Sequence, residues 1–432
     1  MKIAHFTNTY APHVGGVARS VLSLVETLGR HGCETLVVAP RFAGIAAYEK
    51  HVYRVPAIQH FGGSDFSIPL PAGPALDDAL DAFEPDVIHS HHPFLLGDTA
   101  LRVAAARCLP IVYTFHTRYD LYGHYVGQDS PIVERMLRNL SAGYCNLASA
   151  VVAPSRSIAD YLVTQDVDVP IEVIATGIDL SAFDNGDASA ARAQFGIAAE
   201  TPLIGHVSRL APEKNPEFLT QSIIECLSEK AGAMALIVGD GGSRQDMETD
   251  FERAGLKDRV RFTGVLTGAE LENAYAAMDV FVFASKSETQ GLVIVEAMAS
   301  GTPIVALDAP GVRDVVNDQE NGLLFDADAP VATFARGVIA LLNNPEWMAK
   351  IGMNARATAL DCTEDACVRR MLALYADVIG KHPTFDESSD SLWDATRRSL
   401  SKEVDILSNF ARAFGNAVMI AEDDDAGVTE AT

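Results

Sequence analysis

Two stretches of this chain place charged side chains where they could act on a phosphate. His206-Val207-Ser208-Arg209-Leu210-Ala211-Pro212-Glu213-Lys214-Asn215 continues an apolar run that predicts a strand, so Arg209 and Lys214 fall in a strand-end loop. An arginine fork and a lysine point charge suit a pyrophosphate, and a solvated surface pair accounts for them equally well. The second stretch, Ala284-Ser285-Lys286-Ser287-Glu288-Thr289-Gln290-Gly291-Leu292-Val293-Ile294-Val295-Glu296, puts Glu288 in a loop. Gly291-Leu292 then opens a helix whose free N–H groups can hold an anionic oxygen. Glu296 lies further along that helix among apolar residues, where a carboxylate needs a partner: a sugar or ribose hydroxyl pair, an internal salt bridge, or a cap.

Near the N-terminus, Gly15-Gly16 precedes Val17, Val21, Leu24, Val25 and Leu28 at helical spacing. A glycine pair there lets backbone N–H groups approach a phosphate at the positive end of a helix, although many such pairs only make a turn. Ten of the 12 histidines precede residue 130, among them His89-Ser90-His91-His92. His89 and His91 share one strand face but no third ligand is evident, so a structural or acceptor-side role fits better than a metal.

These loops need elements to hold them. Short apolar runs alternate with amphipathic stretches, which predicts βα units on parallel sheets. Strands are expected at Lys2–Phe6, Glu34–Ala39, Val87–His91, Ile111–Phe115, Ala150–Ala153 and Glu172–Ile174. The pattern lapses near the turn signal Asn185-Gly186-Asp187 and a short helix Ala188–Phe195, then resumes at Leu203–Val207, Ala235–Val238, Val260–Thr263, Val280–Ala284, Ile304–Ala306 and Gly322–Phe325. The expected organisation is an N-terminal Rossmann-like domain over 1–185, a linker over 186–201, a second Rossmann-like domain over 202–382, and a helical tail over 383–432. Two such sheets would face one another across a cleft, with ligands beyond the carboxyl ends of the strands.

Composition narrows the partners. The 432 residues are 48 % apolar, enough for a core in each of two or three domains. Thirty-three Lys and Arg against 58 Asp and Glu leave a net charge of −25, which disfavours nucleic acid and makes any contact with an anionic membrane a local matter. Six scattered cysteines and the absence of a signal-like apolar start predict a cytoplasmic protein. In the tail, Pro383–Ser391 reads as a polar linker. Trp393, Leu400, Val404, Leu407, Ala411, Phe414 and Val418 form a near-heptad seam that could pack on its own body, pair with a second helix or lie on a membrane. Glu422-Asp423-Asp424-Asp425 predicts a disordered acidic end.

Gly15-Gly16-Val17, the pair Arg209/Lys214, and Glu288 followed by Glu296 and Ala297-Met298-Ala299-Ser300-Gly301-Thr302-Pro303 together resemble the retaining family-4 glycosyltransferases of the GT-B fold, over about residues 1–380. The resemblance implies an α/β GT-B architecture with an extra C-terminal helix. It also implies a nucleotide-diphosphate sugar as co-substrate, with a UDP-sugar favoured, no metal, and retention by a front-face route without a protein nucleophile. Gly15 and Gly16 would approach the donor diphosphate, and Arg209 and Lys214 would neutralise it. Glu288 would accept hydrogen bonds from donor-sugar hydroxyls, the amides of Gly291 and Leu292 would join the phosphate cradle, and Glu296 would hold the ribose. His116 matches the histidine that the family places beside the transferred sugar. Gln290 departs from the aromatic residue many relatives carry, and Ser208 from their glycine.

His116-Thr117-Arg118-Tyr119-Asp120-Leu121-Tyr122-Gly123-His124-Tyr125 is similar to a stretch of bacterial diacylglycerol glycosyltransferases, which implies a glycerolipid acceptor met by Tyr119, Tyr122, His124 and Tyr125. Arg135 and Arg138, on the helix expected at Pro131–Leu147, would help peripheral docking at the inner face of the plasma membrane, and the C-terminal helix offers a route to self-association. A soluble or polysaccharide sugar acceptor, a sugar-nucleotide epimerase or hydrolase, and a non-catalytic interaction protein are the alternatives.

Overall fold

The computed structural model describes the chain except residues 14, 43–44, 46–48, 59–66, 71–72, 122–129, 383–391 and 430–432, and gives the backbone only for 392–396 and 418–429. Its contacts divide the chain into two units, Met1–Gly177 with Cys367–Thr432, and Ile178–Ala366.

The first unit is built on strands β1 (Lys2–Phe6), β2 (Glu34–Pro40) and β3 (Val52–Val55), a two-residue ladder of β4 (Ala57–Ile58) with β5 (Ile68–Pro69), and then β6 (Val87–Ser90), β7 (Ile111–Thr114), β8 (Ala150–Ala153) and β9 (Ile171–Val173). Seven of these form one parallel sheet in the order β3-β2-β1-β6-β7-β8-β9. Strands covered on both faces need continuous apolar runs, and β6, β7 and β8 are buried at every position. Helices α1 (Gly16–Arg30), α2 (Pro74–Phe83), α3 (Leu96–Arg107), α4 (Pro131–Cys145) and α5 (Arg156–Thr164) connect them.

The second unit begins with two short helices, α6 (Leu180–Asp184) and α7 (Ala188–Gln194). Strands β10 (Leu203–Val207), β11 (Met234–Val238), β12 (Val260–Gly264), β13 (Val280–Phe283), β14 (Ile304–Leu307) and β15 (Gly322–Phe325) form a parallel sheet ordered β12-β11-β10-β13-β14-β15. Helices α8 (Pro216–Glu229), α9 (Arg244–Arg253), α10 (Ala269–Ala277), α11 (Leu292–Ala299), α12 (Val331–Leu342) and α13 (Pro345–Ala359) cover it. On one face Phe281, Phe283, Ile294 and Met298 are buried together, and on the other Val280, Val282, Ile223 and Phe334. Burying each such side chain is worth roughly 1.5–3 kcal/mol.

The boundaries differ from those read in the sequence. The first junction falls at Gly177/Ile178, ahead of the turn at Asn185. The last helix of the expected second domain, α14 (Glu364–Lys381), belongs from Cys367 onward to the first unit. Val368, Met371, Leu374, Tyr375 and Val378 of α14 are buried with Ile3, Val87, Val112 and Val152 of the first sheet. An amphipathic pattern says that a helix needs a sheet, and nothing in it says which one.

The tail forms one helix, α15 (Leu392–Thr429), packed along α3 and α4. It continues through Glu422–Asp425, where the charge run had predicted disorder; residues 416–425 hold no glycine or proline to stop it. The face that packs is Ile406, Asn409, Ala413 and Ala417. Asn409 donates to the Leu140 carbonyl at 3.1 Å and fills the space over Gly143, and Glu403 takes a two-pronged bond from Arg102 at 2.6 and 3.1 Å. Leu400, Val404, Leu407 and Phe414 of the expected seam, together with Phe410, face outward instead.

Candidate functional site

In the second unit, β10 runs buried to Val207 and delivers Ser208 and Arg209 at its carboxyl end. His206 pins this exit, its Nδ1 meeting the Val282 carbonyl at 2.9 Å and its Nε2 the Ser208 hydroxyl at 2.7 Å. Burial lowers His206 to a pKa of about 4, so it is a neutral spacer. The chain then turns through a 3-10 segment, Pro212–Lys214, and Asn215 in the left-handed region leads into α8.

That turn brings Lys214 to Glu288, with Nζ 2.5 Å from Oε1; both side chains are largely buried, 17 % and 14 % exposed. Burial opposes charge on Glu288, but the Lys214 ammonium and the hydrogen bonds from Lys214 and Ser285 outweigh it and hold the carboxyl below its ordinary range. Arg209 pairs with Glu213, and half of its side chain is exposed. Ser287 donates to the Glu213 carbonyl at 3.1 Å, which ties the two loops together. The structure thus assembles Arg209, Lys214 and Glu288 in one place.

Gly291 has φ 72° and caps α11 without a side-chain acceptor. The backbone around it is held by Gly311, also at positive φ, where a Cβ would stand 2.8 Å from the Gln290 nitrogen. Glu296 is fully buried one helix turn beyond Leu292, and its Oε2 accepts from the Tyr275 hydroxyl at 2.7 Å. The internal partner weighed against the ribose role therefore exists.

One supporting loop escaped the sequence reading. Gly239 and Gly241, after β11, pass so close to the Arg209 loop that a Cβ would lie 1.8 Å from the Ser208 carbonyl oxygen and 2.3 Å from that of Leu210. Leu210 N–H in turn donates to the Asp240 carbonyl at 2.9 Å. The signal was present as Gly239-Asp240-Gly241-Gly242 directly after an apolar strand.

In the first unit, Gly15 is the extended N-cap of α1 and Gly16 its first residue, with no acidic side chain in the opening turn. Among the described residues, a Cβ at Gly16 would meet no atom within 4 Å, so their packing does not demand glycine there. Arg54 on β3, another residue the sequence reading missed, fixes the approach to α1 by donating to the carbonyls of Ala11 and Pro40 at 2.6 and 3.1 Å.

His116 follows β7, and its Nε2 lies 3.0 Å from His91 Nδ1. His91 Nε2 lies 3.1 Å from His5 Nδ1. Burial takes His5, His92 and His116 down to about 3 and His91 and His89 well below their usual value, so the cluster is neutral at physiological pH. Ligand atoms of His5, His89 and His91 lie within 4.8 Å of one another. A metal would have to displace existing bonds, because His89 already meets Thr114 Oγ1 at 2.7 Å and the Tyr375 hydroxyl at 2.6 Å, and both His91 nitrogens are engaged.

Of the aromatic run, Tyr119 packs edge-on against Phe94 with ring centroids 5.0 Å apart. Tyr122, His124 and Tyr125 lie outside the described residues. Arg118 stacks over Tyr161 at 3.8 Å and pairs with buried Asp120 at 2.7 Å, and Arg138 approaches the same carboxylate at 3.6 Å. Arg138, expected on a docking face, is thus tied to an internal anion.

Two parallel Rossmann-like sheets, with a Lys–Glu pair and a glycine-capped helix at adjoining strand ends of the second, define a GT-B glycosyltransferase. Residues 14–182 match the model of Glycosyltransferase Family 4, and residues 187–358 that of Glycosyl transferases group 1. The chain is 30 % identical to a GDP-mannose-dependent alpha-mannosyltransferase of Mycolicibacterium smegmatis, covering 88 % of this chain and 98 % of that one. It is 29 % identical to an alpha-monoglucosyldiacylglycerol synthase of Streptococcus pneumoniae over 77 % of each chain. Among solved structures it resembles Anabaena HepE in complex with UDP-glucose, with TM-score 0.68, 23 % identity and coverage of 87 % and 99 %. The chain belongs to glycosyltransferase family 4 and is a hexosyltransferase.

Proposed function

We propose that this enzyme moves a hexose from a UDP-sugar to a glycerolipid such as diacylglycerol, with retention of configuration. The observation that carries the donor side is the buried Lys214–Glu288 pair beside the glycine-capped start of α11. Breaking the sugar–phosphate bond sends negative charge to the diphosphate and positive charge to the ring, and preorganised cations lower that barrier. In this reading Arg209 and Lys214 take the diphosphate charge in place of a metal, so activity is expected to survive chelation of divalent cations. Glu288 accepts from sugar hydroxyls, the amides of Gly291 and Leu292 take a phosphate oxygen, and Glu296 holds the ribose with the Oε2 bond to Tyr275 as its brace. Gly15 and Gly16 give backbone N–H groups to the diphosphate, and His116 lies by the sugar.

The lipid acceptor is supported by the likeness to the pneumococcal synthase and by the aromatic run at 116–125; the likeness to the mannosyltransferase favours a mannosyl donor as the second reading. Membranes supplied with labelled UDP-glucose or GDP-mannose decide between them. Label extracted into organic solvent supports the lipid reading, and label confined to water-soluble saccharide replaces it.

Gly16→Ala separates packing from binding. Alanine is the better helix former, so stability is expected to hold or rise slightly, while donor KM rises about tenfold because the methyl blocks close approach. Thermal melts together with donor kinetics check both halves.

Work at a lipid surface would put the enzyme on the cytoplasmic side of the membrane, and no helix among the described residues is long and apolar enough to cross one. We assign self-association to the outward row Leu400, Val404, Leu407, Phe410 and Phe414, whose spacing suits a second helix and whose own helix is already seated by its other face. Leu407→Ser with Phe414→Ser is expected to lower the mass seen by light scattering to that of one chain; a wild-type monomer under the same conditions contradicts the assignment.

A further inference from the structure

Resting on the reading of the acceptor as a glycerolipid, we propose that Leu95 is a specificity-determining residue, an apolar side chain held out against backbone strain to meet the acyl-glycerol part of that lipid. The order β3-β2-β1-β6-β7-β8-β9 reverses between β1 and β6, because the chain builds outward to β2 and β3 on one side and to β7, β8 and β9 on the other. In open parallel sheets ligands bind at such a reversal, beyond the carboxyl ends of the strands. Two loops flank it here, the one after β1 that leads to Gly15 and the one over residues 91–95 after β6. Leu95 ends the second of them.

The backbone of Leu95 has φ 60° and ψ −104°, close to the mirror image of a common turn conformation; glycine adopts it freely and a Cβ makes it strained. The surroundings enforce it. Asn8 grips both neighbours, its Nδ2 donating to the Phe94 carbonyl at 3.0 Å and its Oδ1 accepting from the Leu96 N–H at 3.2 Å. Asp98 accepts from the Leu95 N–H at 3.3 Å, and the Thr99 hydroxyl donates to the Leu95 carbonyl at 3.2 Å. Behind the loop, Gly97 lies so near His92 that a Cβ would stand 1.8 Å from its carbonyl oxygen. Position 95 is therefore one that calls for glycine, yet it carries a leucine that is 37 % exposed. The core does not ask for that leucine, since it is the next residue, Leu96, that is buried with Phe6, Ile88 and Tyr113. Beside it the half-buried Phe94 packs edge-on against Tyr119 of the aromatic run, which carries the apolar surface across to the loop after β7. A leucine side chain offers neither charge nor hydrogen bond, so hydrocarbon is what it can recognise.

Transfer to dioleoylglycerol in detergent micelles, with UDP-glucose or GDP-mannose as donor, tests this on the wild type, Leu95→Gly, Leu95→Ala and Leu95→Met, with a thermal melt of each. Leu95→Gly is expected to melt about 3 °C above Leu95→Ala, because only glycine releases the strain. Both are expected to raise the acceptor KM about fivefold and leave the donor KM unchanged, since the exposed part of Leu95 is what the lipid covers. Leu95→Met, which keeps a long apolar side chain, is expected to hold the acceptor KM near the wild-type value. Leu95→Ala melting at or above Leu95→Gly overturns the proposal, as does an equal rise in donor and acceptor KM. Organic-soluble product formed with an unchanged acceptor KM in both Leu95→Gly and Leu95→Ala overturns the role of Leu95 alone. Product confined to water-soluble saccharide in the wild type overturns the lipid reading, and the acyl contact with it.

Discussion

Lys214→Met is expected to lower kcat by about two to three orders of magnitude, the usual loss when one preorganised charge stabiliser is removed. It is also expected to destabilise the fold by about 3 kcal/mol, because Glu288 is left as a largely buried carboxylate without its counter-charge. The two effects come apart in the double variant Lys214→Met/Glu288→Gln, which should regain most of the stability and none of the activity. pH gives a further check. In the wild type Glu288 has a depressed pKa, so its contribution to stability is complete above the ordinary glutamate range and is lost as pH falls through the folded value. Without Lys214, burial, the largest influence on this carboxyl, is opposed only by the Ser285 hydrogen bond and His206, so the carboxyl is expected to move up and protonation to relieve the variant as pH falls. The gap in Tm between variant and wild type should thus be widest near neutrality and narrow toward the acid range. A gap constant with pH would mean that Lys214 does not control this carboxylate.

Glu288→Gln is expected to reduce kcat/KM at least about hundredfold while leaving affinity for the bare nucleotide diphosphate unchanged or improved. The asymmetry follows from the roles. The carboxylate contacts the sugar, which a bare diphosphate lacks, and in its absence the Lys214 ammonium is no longer shared between Glu288 and phosphate. Parallel loss of diphosphate binding and turnover would move Glu288 from the sugar to the phosphate or to a purely structural role. Arg209→Ala should weaken diphosphate binding and also lower Tm, since its side chain is half exposed but its partner Glu213 is only 2 % exposed and would lose this counter-charge.

Much of this was legible in the chain. Largely buried parallel strands are short apolar runs, so Lys2–Phe6, Ala150–Ala153, Leu203–Val207 and Gly322–Phe325 stand where the pattern put them, and most other strand ends differ by a residue. The strand Val52–Val55 was not read, because an edge strand needs apolar cover on fewer sides and this one carries Arg54. The donor-side residues were readable because Arg209, Lys214, Glu288 and Gly291 are local to two strand-end loops. What was not readable is pairing across the fold. Glu296 and Tyr275 are 21 residues apart, His5 and His91 are 86 apart, and the helix from Cys367 returns to a sheet whose first strand begins at Lys2. The near-heptad row on α15 did not predict the face that packs: Leu400, Val404, Leu407 and Phe414 are exposed, and Ile406, Asn409, Ala413 and Ala417 turn inward, with Asn409 over Gly143.

Calorimetric titration of UDP and GDP into the wild type, Arg209→Ala and Lys214→Met tests the central claim, that the second unit's two cations hold the donor diphosphate. Saturable UDP binding to the wild type, weakened about tenfold or more in each variant while the variants remain folded, is the predicted result. Binding of equal strength in all three proteins, or none in the wild type, would contradict the account.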